Sequence, residues 1–134
     1  MPPRDRSKWL VLVVEDDPDL LTMITRVLEK EKYQVLTANN GEAGLALAVG
    51  KPKPNLIISD IMMPDMDGLE MVRRIKDDPS TKPTPVVFLT AKQTPKDVIA
   101  GIQAGARYYL TKPFRMHELV DKVRAILPPH PDDG

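Results

Sequence analysis

Five short apolar runs, each followed by a stretch whose apolar residues recur at helical spacing, constrain this chain more than any other feature. The runs are Trp9 to Val14, Tyr33 to Thr37, Leu56 to Ser59, Val86 to Thr90 and Tyr108 to Thr111. Their lengths suit strands, and three are rich in Val or Ile. The intervening segments carry Leu20, Leu21, Ile24, Val27 and Leu28; Ala43, Leu45, Leu47 and Ala48; Leu69, Val72 and Ile75; Val98, Ile99 and Ile102; and Leu119, Val120, Val123 and Ile126. Five such βα alternations with right-handed crossovers predict an α/β fold: an open, doubly wound five-stranded parallel sheet of order 2-1-3-4-5. The first, third and fourth runs are almost uniformly apolar, as in strands covered by helices on both faces. The second is more polar and is expected at an edge.

The 14 Pro among 134 residues punctuate this pattern without interrupting it. Asp17-Pro18 and Thr94-Pro95 each set a capping side chain before a Pro at the first helical position. Gly50 and Gly105 stand where left-handed helix stops are expected. One domain over residues 9–127 is expected, with 1–8 a flexible N-terminal segment and 128–134 a flexible tail or linker. With 19 Lys and Arg against 19 Asp and Glu, the chain has no electrostatic footprint for nucleic acid or an anionic membrane. Its lack of Cys removes disulfides, thiolate metal sites and Cys nucleophiles, and suits a reducing compartment. No run has the length of a signal peptide core or a membrane span. A cytoplasmic protein is the expectation.

In a parallel sheet all strands end on one edge, so residues that close different strands converge. The first strand ends in Glu15-Asp16-Asp17, the third in Asp60, the fourth in Thr90 and the fifth in Lys112, which precedes Pro113. Carboxylates held together must raise a pKa, take up a cation, or both. Oxygen ligands with no His or Cys favour a hard cation, Mg²⁺ first, with Mn²⁺ or Ca²⁺ as the others. Asp60, flanked by a metal, an ammonium and a hydroxyl, is then a carboxylate nucleophile for an incoming phosphoryl group. Asp17 reads better as a helix cap than as a ligand.

Glu15-Asp16, then Asp60-Ile61-Met62-Met63-Pro64-Asp65-Met66-Asp67-Gly68, then Thr90-Ala91, then Lys112-Pro113-Phe114 resemble the receiver domain of bacterial two-component response regulators, the CheY-like family. The four motifs stand in order, each at its own strand end, and the resemblance runs from about Trp9 to Leu127. It implies a flavodoxin-like (βα)5 fold. It also implies that Asp60 is the phosphoacceptor, and that Glu15, Asp16, Asp60 and the Met62 backbone carbonyl hold the metal. Thr90 and Lys112 resemble the hydroxyl and the cation that contact the phosphoryl group, and the Lys112–Pro113 bond is expected to be cis. Thr90 and Tyr109 resemble the switch pair, altering a face made by the fourth predicted helix, the fifth strand and the fifth predicted helix. The implied function is a signalling switch, not an enzyme with an external substrate. It would be charged by a histidine kinase or phosphotransfer protein, would catalyse its own phosphorylation and dephosphorylation, and would be read by an output partner or domain. Neither nucleic acid nor membrane is an expected direct partner, and the expected state is a monomer or a phosphorylation-dependent dimer. Arg107-Tyr108 departs from the small or acidic pair of many receivers and predicts a bulkier, more basic output face.

Other readings fit less well. An EF-hand loop ending at Arg74 would need an oxygen ligand where Met63 stands and Glu where Arg74 stands. A phosphatase or phosphotransferase with an aspartate nucleophile would turn over small phosphate esters, but the dehalogenase-type Asp-x-Asp fails at Met62. A receiver-shaped binding module that is never phosphorylated would not need Asp16, Asp60, Thr90 and Lys112 together. His117 and His130 lack a metal-ligand partner spacing.

Overall fold

A computed structural model describes residues 9–61, 63, 66, 68–90, 103, 105 and 108–128. In chain order the elements are β1 (Leu10–Val14), α1 (Pro18–Lys30), β2 (Gln34–Ala38), α2 (Gly41–Val49), β3 (Leu56–Asp60), α3 (Gly68–Asp77), β4 (Val86–Thr90), β5 (Tyr108–Thr111) and α4 (Met116–Ile126). Here α4 is the fifth helix of the sequence pattern. The fourth, with Val98, Ile99 and Ile102, lies outside the described residues, as does the Thr94-Pro95 cap.

The sheet is parallel, of order β2-β1-β3-β4-β5, with the polar strand β2 at one edge as expected. Strands β1, β3 and β4 are buried along their whole length because helices cover both faces. Alternation divides the core in two. Leu12, Val14, Ile57 and Phe88 face α2 and α3, whereas Val11, Val13, Ile58, Leu89 and Leu110 face α1 and α4. Among the described residues no helix is long and apolar enough to cross a membrane.

The helix ends show where local chemistry was read correctly and where it was not. Asp17 caps α1, its Oδ1 accepting from the Asp19 N–H at 3.0 Å, with Pro18 at the first helical position. Asn40 caps α2, accepting from the Ala43 N–H at 2.8 Å. Gly105 has the expected positive φ, +112°. Gly50 does not: it closes α2 with a bond from its N–H to the Leu47 carbonyl and then leaves in extended conformation, φ −80° and ψ −172°. A tight last turn and an extended exit take the place of the left-handed stop. The left-handed stop belongs instead to Lys32, φ 74°, at the end of α1.

Candidate functional site

Strand register brings the charged residues to one place. Val13 pairs with Ile58 and Val14 with Ser59, so one step further Glu15 stands beside Asp60. Asp60 in turn pairs with Leu89, and Leu89 with Leu110, two residues before Lys112. Glu15, Asp60 and Lys112 therefore continue the parity of Val13, Ile58 and Leu110, and all three start on the α1/α4 side of the sheet. The segment after β5 turns through a cis peptide at Lys112–Pro113, as expected, and Phe114 packs onto the same core.

The Lys112 ammonium lies between two carboxylates, with Nζ donating to Glu15 Oε1 and to Asp60 Oδ2, each at 3.0 Å. Glu15 is 0% exposed and Asp60 7%, while Asp16 is exposed beside them. One carboxylate oxygen from each of Glu15, Asp16 and Asp60 lies within 4.8 Å of the others. Burial holds the Glu15 carboxyl above its usual range. The Asp17 N–H, donating to Glu15 Oε2 at 3.1 Å, and Lys112 pull it back down, and the nearby Asp60 charge pushes it up again. For Lys112 burial acts downward, but its bonds to Asp60 and Glu15 outweigh it and keep the ammonium charged beyond its ordinary range.

Three carboxylates face one ammonium, an excess of negative charge that a further cation would neutralise. The donors are all oxygen and close together around a buried carboxylate, so the set fits a hard divalent ion. The Met62 carbonyl, expected as another ligand, lies outside the described residues.

Thr90 ends β4 one residue beyond the Asp60 partner Leu89, and is buried. Tyr109 pairs with Phe88 in register, its ring centroid 6.2 Å from the Phe88 ring. It is half-buried on the α2/α3 side, and this burial raises its hydroxyl pKa. Thr90 and Tyr109 share that side, with the parity of Phe88. Tyr108, expected to add bulk to an output face, is half-buried and packs against the α1/α4 core, and Arg107 lies outside the described residues. His117 is exposed.

Two features of the site were not read from the sequence. The first is the Glu15–Lys112 ion pair, which the shared parity of the two strand ends could have suggested. The second is the close packing of Gly68 against the acceptor strand. Its N–H donates to the Ile61 carbonyl at 2.8 Å, and a Cβ there would lie 2.3 Å from the Asp60 carbonyl oxygen. Only a glycine lets α3 begin directly against the strand end.

Comparison with known proteins agrees with this geometry. The family model described as response regulator receiver domain matches residues 11–124. Protein PilH of Pseudomonas aeruginosa is 38% identical over 117 residues, covering 87% of this chain and 96% of that protein. The transcriptional regulatory protein TrcR of Mycobacterium tuberculosis is 39% identical over 123 residues, 92% of this chain but 47% of TrcR. The chain thus spans about half the length of TrcR and of other regulators it matches, such as TcrX. Among solved structures, the chemotaxis protein CheY4 of Vibrio cholerae superposes with a TM-score of 0.84 at 34% identity, over 89% of this chain and 98% of that one.

Proposed function

Because the chain belongs to the response regulator receiver family, we propose that it works as a phosphorylation switch whose acceptor is Asp60, within a receiver domain spanning residues 9–127. The observation that carries this reading is a buried Asp60 at the end of β3, 3.0 Å from the Lys112 ammonium and grouped with Glu15 and Asp16. A metal bound by Glu15, Asp16, Asp60 and the Met62 carbonyl, Mg²⁺ in this reading, would supply positive charge to the phosphoryl oxygens.

The donor is a phosphohistidine of a histidine kinase or phosphotransfer protein. An Asp60 carboxylate oxygen forms the new bond to phosphorus as the phosphorus–nitrogen bond breaks, and the histidine leaves carrying the electron pair of that bond. Lys112 then exchanges a carboxylate contact for a phosphoryl oxygen, and the Thr90 hydroxyl donates to another. Movement of Thr90 opens space on the side that Tyr109 shares, and the turned ring alters the face presented to an output partner or domain. The protein catalyses only its own phosphorylation and hydrolysis.

Incubation with acetyl phosphate and Mg²⁺, read by intact mass, tests this reading. The expected result is one phosphoryl adduct, released by hydroxylamine and lost altogether in Asp60→Asn. An adduct that forms undiminished in Asp60→Asn would overturn the acceptor assignment. Turnover of small phosphate esters without a lasting adduct would favour the phosphatase reading instead.

A further inference from the structure

We infer that Gly41, at the start of α2, is a positioning residue for the acceptor site; the inference rests on the reading of Asp60 as acceptor. Gly41 is buried, and a Cβ built on it would lie 2.3 Å from the Met66 backbone oxygen and 3.0 Å from the Met66 Cβ. Contacts that short do not occur, so an alanine must push the Met66 backbone away. The torsion angles do not demand glycine here, because Gly105 is the one glycine with positive φ among the described residues. The requirement is space.

Met66 belongs to the stretch between Asp60 and α3, whose two ends are tied to the end of β4 and to the acceptor strand. At the near end Ile61 N–H donates to the Leu89 carbonyl at 3.2 Å; at the far end Gly68 N–H donates to the Ile61 carbonyl and Gly68 packs on the Asp60 carbonyl. Gly41 supplies a third support from outside, through backbone contact. The support is itself fixed: Asn40 caps α2, the Gly44 N–H donates to the Asn40 carbonyl at 3.0 Å, and the Glu15 N–H donates to the Ala38 carbonyl at 3.0 Å. Hydrogen bonds therefore hold the end of β2, the start of α2 and the acid-bearing end of β1 in place against the stretch that follows Asp60. A displaced Met66 pulls on Gly68 and through it on Asp60, whose carboxylate needs sub-ångström placement for in-line attack.

Gly44 provides the matched control. It lies one turn further along α2 and is also crowded: a Cβ built on it would lie 2.8 Å from Val14 Cγ2 and 3.0 Å from Met71 Sδ, core side chains in place of the Met66 backbone. Gly41→Ala and Gly44→Ala should both lower the melting temperature. At a temperature where both are fully folded, Gly41→Ala should slow phosphoryl incorporation from acetyl phosphate on the order of 10–100-fold and weaken Mg²⁺ binding measured by calorimetry. Gly44→Ala should keep the wild-type rate and affinity. Wild-type rate and Mg²⁺ affinity in folded Gly41→Ala, or equal losses in both variants, would overturn the inference. If Gly41→Ala does not fold, Asn40→Ala loosens the same helix start without adding an atom against Met66; a several-fold slower rate is expected, and an unchanged one overturns the inference. Absence of an adduct in the wild type would instead overturn the acceptor reading, and the inference with it.

Discussion

The two ends of the sheet are built to opposite rules. At the carboxyl ends of the strands, Glu15 and Asp60 share one ammonium with Asp16 close by, and burial pushes the fully buried Glu15 toward neutrality. At the amino ends polar groups find their partners within the protein. The Tyr33 hydroxyl donates to the Leu127 carbonyl at 2.8 Å, the Trp9 indole N–H donates to the Pro128 carbonyl, and Arg124 of α4 pairs with Glu31 beyond α1. The first end carries charge that a ligand can satisfy; the second ties the start of β1, the end of α1 and the end of α4 together without one. A fold that keeps surplus charge at one edge needs its cohesion from elsewhere, and the buried strands and the amino-end ties provide it.

The largest effect that tests this contrast comes from Lys112→Ala. Removal of the ammonium leaves Glu15 and Asp60 facing each other with no cation between them. Lys112 is partly open to solvent, so the loss should be about 1–3 kcal/mol at neutral pH, below what a fully buried pair would cost. The deficit should shrink toward pH 5, because Glu15, already raised, rises further without the ammonium and takes up a proton. Mg²⁺ binding should persist while activation of an output partner fails. Denaturant melts at two pH values check the stability part, and equal deficits at both would show that the carboxylates do not depend on Lys112.

At the opposite end Tyr33→Phe removes only a hydroxyl. The Leu127 carbonyl loses a buried donor, and about 1–2 kcal/mol of stability should go with it. That loss should be indifferent to Mg²⁺ and to pH between 5 and 8, since no titrating group takes part. A Mg²⁺-dependent loss would mean that the two ends are coupled.

Glu15→Gln has a smaller effect and a sign that changes with conditions. The folded-state pKa of Glu15 lies above its ordinary 4.5, so its contribution to stability is fully present below 4.5 and is lost as pH rises through the raised value. Without divalent ions, the melting temperature of Glu15→Gln relative to wild type should therefore climb from pH 4.5 to neutrality. Saturating Mg²⁺ should reverse the order by stabilising the wild type alone. A flat difference across that range would place the Glu15 carboxylate outside the strained set.

The same contrast explains what was legible in the sequence. Strands with Val, Ile and Leu on both faces, and a polar one such as Gln34 to Ala38, announce their own positions because burial acts residue by residue. Asp60, Glu15 and Lys112 were readable as strand ends, since a parallel sheet delivers every end to one edge. What local pattern could not show is who pairs with whom: the Lys112 bridge between two carboxylates, and Tyr33 reaching the last turn of α4. Gly41 and Gly68 were equally opaque. A glycine kept for space looks in sequence like one kept for torsion, and only the opposing backbone distinguishes them. Gly50 misled for the same reason, while the residue in left-handed conformation after α1 was a lysine.

That lysine supplies the smallest prediction and the one confined to the quieter end. Lys32 donates its N–H to the Glu29 carbonyl at 3.0 Å, and Tyr33 donates to the Leu28 carbonyl at 3.1 Å, the two bonds of a Schellman stop. The turn points Tyr33 under the core, where its hydroxyl meets Leu127, so the strained φ of 74° at Lys32 is what lets α1 end and the clamp on α4 begin. A residue with a Cβ has a cost there that glycine avoids, although glycine gives some of this back through the freedom of its unfolded chain. Lys32→Gly should therefore gain about 0.5–1 kcal/mol, roughly 2–5 °C in melting temperature for a domain of this size. The rate of phosphoryl incorporation should not change, because the substitution lies at the far end of α1 from Glu15 and Asp60. A gain in stability with an unaltered rate would show that the amino-end clamp can be strengthened independently of the charged edge. A changed rate would show that α1 transmits strain from one end of the sheet to the other.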